Sequence, residues 1–307
     1  MRIAVVGCGA VGSLFAANLA QLEDVEVWAY DLDRAHVDAI NADGLRLVGS
    51  GEVVGRVRAT TEAGELPPCE LGIVATKAMH TESAIAATAP AFVDGAVASV
   101  QNGLGNEEAI ARHVPRVIRG TTFPAGKLVS PGVVQWDVRG NTTFGPFEPS
   151  PATEDQVEVL ADACTRAGMP TQAAADARPA QWRKVVFNAA TNPIGALTHL
   201  THGRACERPD LRALITGLVE EGKAVAAAQG VTLDADPEAM IDHAARRDVA
   251  YDHKASMLQD VEARRATEID YLNGAISRLG RGLAVPTPLN DAITALVKAL
   301  EDSWMQS

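Results

Sequence analysis

Four groups of residues have the types and spacing to do chemistry. The first is Gly7-Cys8-Gly9-Ala10-Val11-Gly12, a GxGxxG run that follows the apolar stretch Ile3–Val6 and opens a helical pattern. There the first glycine permits a tight turn, the second lets backbone approach a pyrophosphate, and the third seats helix on strand. The helix N-terminus then stabilises the anion. In that context all six residues are read as dinucleotide-binding, the alternative being a glycine-rich structural turn. Asp31 stands 24 residues after Gly7, at the end of the next strand pattern. A carboxylate there accepts hydrogen bonds from adenosine ribose hydroxyls and favours NADH. Its plainer reading is a turn or a helix cap, and Asp33 competes for the ribose.

The second group is Thr76-Lys77 and Gln101-Asn102-Gly103, each directly after an apolar strand pattern and so at the carboxyl edge of a parallel sheet, where open α/β sheets bind ligands. Lys77 suits a phosphate or carboxylate and Asn102 a ribose or substrate; as plain structure they are a loop charge and a turn residue. The third group is Lys184, Asn188 and Asn192, at i, i+4 and i+8 among apolar residues, so a helix aligns them on one face. Such a row binds a small polar molecule, with Lys184 as proton donor, or else it is a surface lysine with two asparagines bonding between helices. Pro193 predicts that the helix kinks or ends there. The fourth group is Ser256 and Glu268; twelve residues of straight helix span about 18 Å, so both touch one small substrate only if the chain bends between them. No HExxH, CxxC or GxSxG pattern occurs, and no metal site is expected.

The elements around these residues change character along the chain. Ile3–Val6, Val25–Tyr30, Leu71–Ala75 and Ala96–Val100 read as buried strands, with helices at Val11–Leu22 and Thr81–Thr88, a βαβ rhythm that predicts a parallel sheet covered on both faces. Gly132–Trp136 and Asn141–Gly145 look like shorter strands, as of an antiparallel edge, and Glu154–Ala167 like a helix ending at Gly168. Beyond Pro179 the pattern is helical only, as in Asp210–Gln229, Thr267–Leu279 and Leu289–Leu300. The expected class is α/β: a Rossmann-like doubly wound domain over 1–176, then an all-helical domain over 177–307. The 307 residues carry 39 acidic and 27 basic side chains, a net charge of −12, which weighs against nucleic acid and anionic membranes. No apolar run approaches the roughly 20 residues of a membrane helix. Four scattered cysteines and an N-terminus running straight into a strand predict a reducing, cytoplasmic setting. The assembly stays open, a homodimer included.

Together the motifs resemble the ketopantoate reductase family. They are Gly7–Gly12, Thr76-Lys77-Ala78, Gln101-Asn102-Gly103, Gly120-Thr121-Thr122, Trp182-Arg183-Lys184 with Asn188 and Asn192-Pro193, and Ser256–Asp260 through Thr267–Asp270. The resemblance implies NADPH-dependent reduction of 2-dehydropantoate, a 2-oxo acid, to (R)-pantoate, a step toward pantothenate and coenzyme A. It implies Lys184 as proton donor and Glu268 as the residue fixing cofactor and catalytic geometry. It places Asn102, Asn188, Asn192, His202, His253 and Ser256 at the substrate or ribose, and Lys77 and Gly126 at the cofactor. Three positions depart from the family pattern: His202 and His253 stand where asparagines are usual, and Asp31 where an arginine often holds the NADPH phosphate. The histidines allow an NAD-dependent D-2-hydroxy-acid dehydrogenase acting on a bulkier or more apolar acid. A dinucleotide sensor without turnover would not need Lys184 and Glu268 together.

Overall fold

In the computed structural model, which describes residues 1–305, the first strand β1 (Arg2–Val6) shows why the N-terminal run is apolar throughout. Ile3 and Val5 enter one core while Ala4 and Val6 enter another, so both faces of the strand are dry. The chain continues through α1 (Ala10–Leu19), β2 (Glu26–Tyr30), α2 (Arg34–Asp43), β3 (Leu45–Gly49), β4 (Val53–Gly55), β5 (Arg58–Thr60) and β6 (Leu71–Val74). It goes on with α3 (Thr81–Thr88), β7 (Ala96–Ser99), α4 (Asn106–Ala111), β8 (Val117–Thr122), β9 (Ala125–Ser130), β10 (Val133–Val138), β11 (Thr142–Pro146), α5 (Glu154–Arg166) and β12 (Thr171–Ala173). Eight strands form one sheet in the order β12-β11-β8-β7-β6-β1-β2-β5. It is parallel from β5 to β8, with β11 antiparallel to β8. This is a doubly wound, Rossmann-like sheet.

A second sheet, β4-β3-β10-β9, lies across α1. The helix packs on β1 and β2 and also on β3, β4, β9 and β10, so every residue from Gly12 to Leu19 is buried. The approach is close: a Cβ on Gly55 would sit 2.6 Å from Ala17 Cα. Two expectations are corrected here. Gly132–Trp136 does not edge the main sheet; as β10 it pairs with β3 and β9, and only the 141–145 run joins the main sheet, as β11. The helix expected to Leu22 ends at Leu19, where Ala20 caps it and the chain turns into β2.

The second half is helical: α6 (Arg178–Thr198), α7 (His202–Cys206), α8 (Pro209–Ala228), α9 (Pro237–Ala244), α10 (Ser256–Glu262), α11 (Asn273–Gly282) and α12 (Pro288–Met305). The long α6 packs on α7, α8, α9, α10 and α12 through Val185, Val186, Ala189, Ala190 and Ile194. Contacts divide the chain into Met1–Gln101 with Asn106–Ala177, and Asn102–Gly105 with the chain from Arg178 onward. No described helix is long and apolar enough to cross a membrane.

One helix expectation also fails, and the kink or end expected at Pro193 is narrowed, since an end is excluded. Thr267–Leu279 is not one helix: a 3₁₀ turn at Ile269–Tyr271 is followed by Leu272 at φ −102° and ψ −99°, and α11 starts only at Asn273. Thr267 is held out of helical geometry, its N–H bonded to Glu301 Oε1 and its Oγ1 accepting from Ile269 N. Pro193 does not end α6, which runs five residues further, to Thr198. The lost backbone bond is replaced from another helix: Asn273 Nδ2 donates to Ala189 O, 2.9 Å away.

Candidate active site

The strand order places β7, β6, β1 and β2 side by side and parallel, so Gln101, Thr76-Lys77, the glycine loop and Asp31 all leave the same edge of the sheet. Gly7 is at φ +86°, with its N–H on Tyr30 O at 2.8 Å; a Cβ there would lie 2.5 Å from Thr76 Cγ2. A Cβ on Gly12 would meet Gly7 O at 2.0 Å, so no other residue fits. A Cβ on Gly9 would meet nothing within 4 Å, which leaves that side of the loop open to a ligand's close approach. Gly9 caps α1 without a side chain, so the first N–H groups of the helix are offered outward, as an anion requires. Gln101 Nε2 bonds Thr76 O at 2.9 Å and ties the ends of β6 and β7 together, and Lys77 leads into the turn Ala78–His80.

A residue the sequence did not flag supports this loop. His36, buried on α2, approaches Cys8 O through Nε2 at 2.9 Å, and its Nδ1 accepts from Gly132 N at 3.0 Å. Both bonds require the neutral Nε2–H tautomer. A lone histidine on a helix carries no such signal, because its partners lie 28 and 96 residues away in sequence. The Cys8 thiol is pushed up to about 12 by burial, so it is an inert packing group. Asp33 is the cap of α2, accepting from His36 N, while Asp31 accepts from Asp33 N at 2.9 Å and stays half-buried at the strand end. Arg34 donates to Thr61 Oγ1 at 2.9 Å and lies 3.9 Å from Glu62. Gly126 belongs to β9 in the second sheet; a Cβ there would strike Gln135 O at 2.3 Å, so its smallness serves strand pairing.

The other candidates gather in the helical unit. Lys184, Asn188 and Asn192 lie on α6, Lys184 half-buried and both asparagines buried. Burial pushes the Lys184 ammonium down to about 8, against the pull of the Glu268 carboxylate, which favours its charged form. Glu268 is buried and sits at the start of the 3₁₀ turn, where its C=O accepts from Tyr271 N and Leu272 N. Asn102 belongs with them: Gly103, at φ +86°, packs so closely that a Cβ would lie 2.4 Å from Tyr271 O, and Leu104 N bonds that same oxygen at 2.9 Å.

Ser256 opens α10 and is exposed, as is His253. The chain does bend between Ser256 and Glu268, since α10 ends at Glu262 and Arg264 takes φ +50°. His202 stacks on Phe187 with centroids 5.7 Å apart, and its Nε2 lies 3.1 Å from Ile241 O. Burial lowers its pKa, so the ring is neutral at pH 7. The backbones of the two histidines are joined, His202 N donating to His253 O.

Comparison with known proteins matches residues 3–149 to the family described as ketopantoate reductase PanE/ApbA, and residues 176–301 to its C-terminal part. The chain belongs to the ketopantoate reductase family. A 2-dehydropantoate 2-reductase of Pyrococcus horikoshii is 34% identical over 303 residues, covering 98% of each chain. Among solved structures, a PanE/ApbA family ketopantoate reductase from Ralstonia eutropha superposes with a TM-score of 0.88, at 31% identity and 99% coverage of both chains. A D-mandelate dehydrogenase in complex with NADH and anilino(oxo)acetate superposes with a TM-score of 0.90, at 29% identity and the same coverage. Family membership makes the chain an NAD(P)H-dependent oxidoreductase with a small-molecule substrate. An open Gly9, an uncapped α1 N-terminus and a strand-end carboxylate are the features that suit a dinucleotide in this member.

Proposed function

We propose that the protein reduces 2-dehydropantoate to (R)-pantoate in the cytoplasm, with Lys184 as general acid and Glu268 as the residue that holds it. The observation that carries this reading is the Lys184 ammonium, held at about 8 by burial beside a buried carboxylate, on the helix face that bears Asn188 and Asn192. NAD(P)H, when bound along the glycine loop, supplies the hydride. The Lys184 ammonium stabilises negative charge developing on the C2 carbonyl oxygen and then gives that oxygen its proton. Asn188, Asn192, Asn102 and Ser256 hold the carboxylate and hydroxyl of the 2-oxo acid. Glu268 keeps Lys184 protonated at neutral pH, since without its charge burial would lower the ammonium further.

The cofactor reading is NADH at least as readily as NADPH. Asp31 would face a 2′-phosphate with like charge, and the nearest cation in sequence, Arg34, is already engaged by Thr61 and Glu62. The Phe187–His202 stack favours a second reading, a D-2-hydroxy-acid dehydrogenase for an apolar 2-oxo acid. Initial rates for 2-dehydropantoate and for 2-oxo acids with branched or aromatic side chains, each with NADH and NADPH, decide between them. A kcat/KM for 2-dehydropantoate below that of the apolar acids would overturn the first reading.

A further inference from the structure

We propose that Asn273 is a positioning residue for the substrate face of α6: it supplies the hydrogen bond that Pro193 removes, and so fixes the turn between Asn188 and Asn192. The proposal rests on the reading that these two asparagines hold the 2-oxo acid.

In an α-helix the N–H of residue 193 bonds the C=O of residue 189, and proline has no N–H to give. Ala189 is 1% exposed, so its orphaned carbonyl is cut off from solvent; a buried acceptor without a donor is costly, and a helix interrupted in this way kinks. Asn273 Nδ2 meets this carbonyl at 2.9 Å and also donates to Asn290 Oδ1 at 3.0 Å. The orientation of both amides follows from the next link. Asn290 Nδ2 donates to Glu221 Oε2 at 2.7 Å, and the same carboxylate receives Leu289 N and Asn290 N at 2.9 Å each, capping the first turn of α12. A carboxylate accepts, so Asn290 must turn its NH₂ to Glu221 and its oxygen to Asn273. Asn273 must then present its own NH₂ to Asn290 and Ala189. Both asparagines are 0% exposed, so no solvent competes.

The placement of Asn273 depends on the break that the sequence pattern did not foresee. Leu272, at φ −102° and ψ −99°, separates the 3₁₀ turn from α11, so Asn273 is the first residue of a new helix rather than the middle of an old one. Glu268 and Asn273 are five residues apart on this segment. The segment therefore acts on α6 twice, through the charge that keeps Lys184 protonated and through the bond that keeps the Asn188–Asn192 turn helical.

The test is a rescue. Asn273→Leu keeps the branched shape and the number of side-chain heavy atoms and removes the donor; Pro193→Ala returns a backbone N–H to residue 193, which can then bond Ala189 O itself. We expect N273L to raise KM for the 2-oxo acid about tenfold, with KM for the dinucleotide unchanged. P193A should stay within about threefold of wild type, and N273L/P193A should return to that range. The double variant should still melt below wild type, because Asn290 Oδ1 remains without its donor. N273L with a wild-type KM, or a double variant whose KM stays as high as that of N273L, would overturn the proposal. If N273L does not fold, Asn273→Ala with and without P193A makes the same comparison with a smaller side chain that also lacks the donor. A wild-type enzyme that reduces no 2-oxo acid overturns the functional reading instead, and is told apart because P193A still restores part of the melting temperature lost in N273L.

Discussion

Replacing Lys184 with methionine exchanges an ammonium for a thioether on a stem of similar length, and the structure gives activity and stability opposite signs. Burial holds the ammonium at about 8, against 10.5 for a lysine in water. At about 1.36 kcal/mol per pH unit, that difference means the native surroundings disfavour the charged form by roughly 3 kcal/mol. The folded value lies below the unfolded one, so the unfolded chain binds more protons between about pH 8 and 10.5. Stability therefore rises with pH across that window, and the penalty is fully present below it. Lys184→Met removes the penalty. At pH 7 the variant is expected to melt several degrees higher than wild type, with roughly 3 kcal/mol as the upper bound, because the ammonium's favourable contacts go with it. Its kcat is expected to fall at least about 100-fold, as for loss of a general acid. For wild type, kcat/KM should be flat below about pH 8 and fall tenfold per unit above it, as the acid loses its proton. Glu268→Gln should move that break to lower pH. Thermal melts from about pH 7 to 10.5 and steady-state rates over the same range check both halves. A K184M protein that melts below wild type at pH 7, or a wild-type profile without a break near pH 8, would refute the reasoning.

Three further outcomes follow from the same geometry. Wild type should use NADH at least as well as NADPH, and Asp31→Arg should shift preference toward NADPH; a wild-type preference for NADPH above about tenfold would show that Asp31 does not face the ribose. Ser256→Ala should raise KM for the 2-oxo acid with little change in kcat, because a neutral hydroxyl bonds ground and transition states alike; a collapsed kcat with unchanged KM would count against that role. His36→Leu should raise KM for the dinucleotide severalfold while leaving KM for the 2-oxo acid unchanged, because it frees Cys8 O in the glycine loop and Gly132 N in the second sheet; equal effects on both would make His36 a general packing residue.

Local patterns proved legible where one element's own geometry expresses them. The continuous apolar strands, the glycines with a fixed job at Gly7 and Gly12, and the i, i+4, i+8 spacing on α6 depend on backbone sterics and period alone. The Rossmann-like class and the candidate acid could accordingly be read from residue order. The pairing of Gly132–Trp136 could not, because strand partners are chosen by burial against α1 and the alternation of a strand does not name its neighbour.

What the sequence by itself determined is the inventory: a glycine loop between a strand and a helix, a strand-end Asp31, and a lysine–asparagine row near an Asn-Pro step. What only tertiary structure decided is how those groups are held. His36 reaches Cys8 and Gly132, Gly103 settles against Tyr271, and the chain breaks at Leu272 so that Asn273 can serve Ala189. Pro193 shows the reason most directly. Proline's own chemistry forbids a hydrogen bond, and the sequence states that much. Whether the helix then ends depends on whether a donor arrives from elsewhere, and that donor lies 84 residues away.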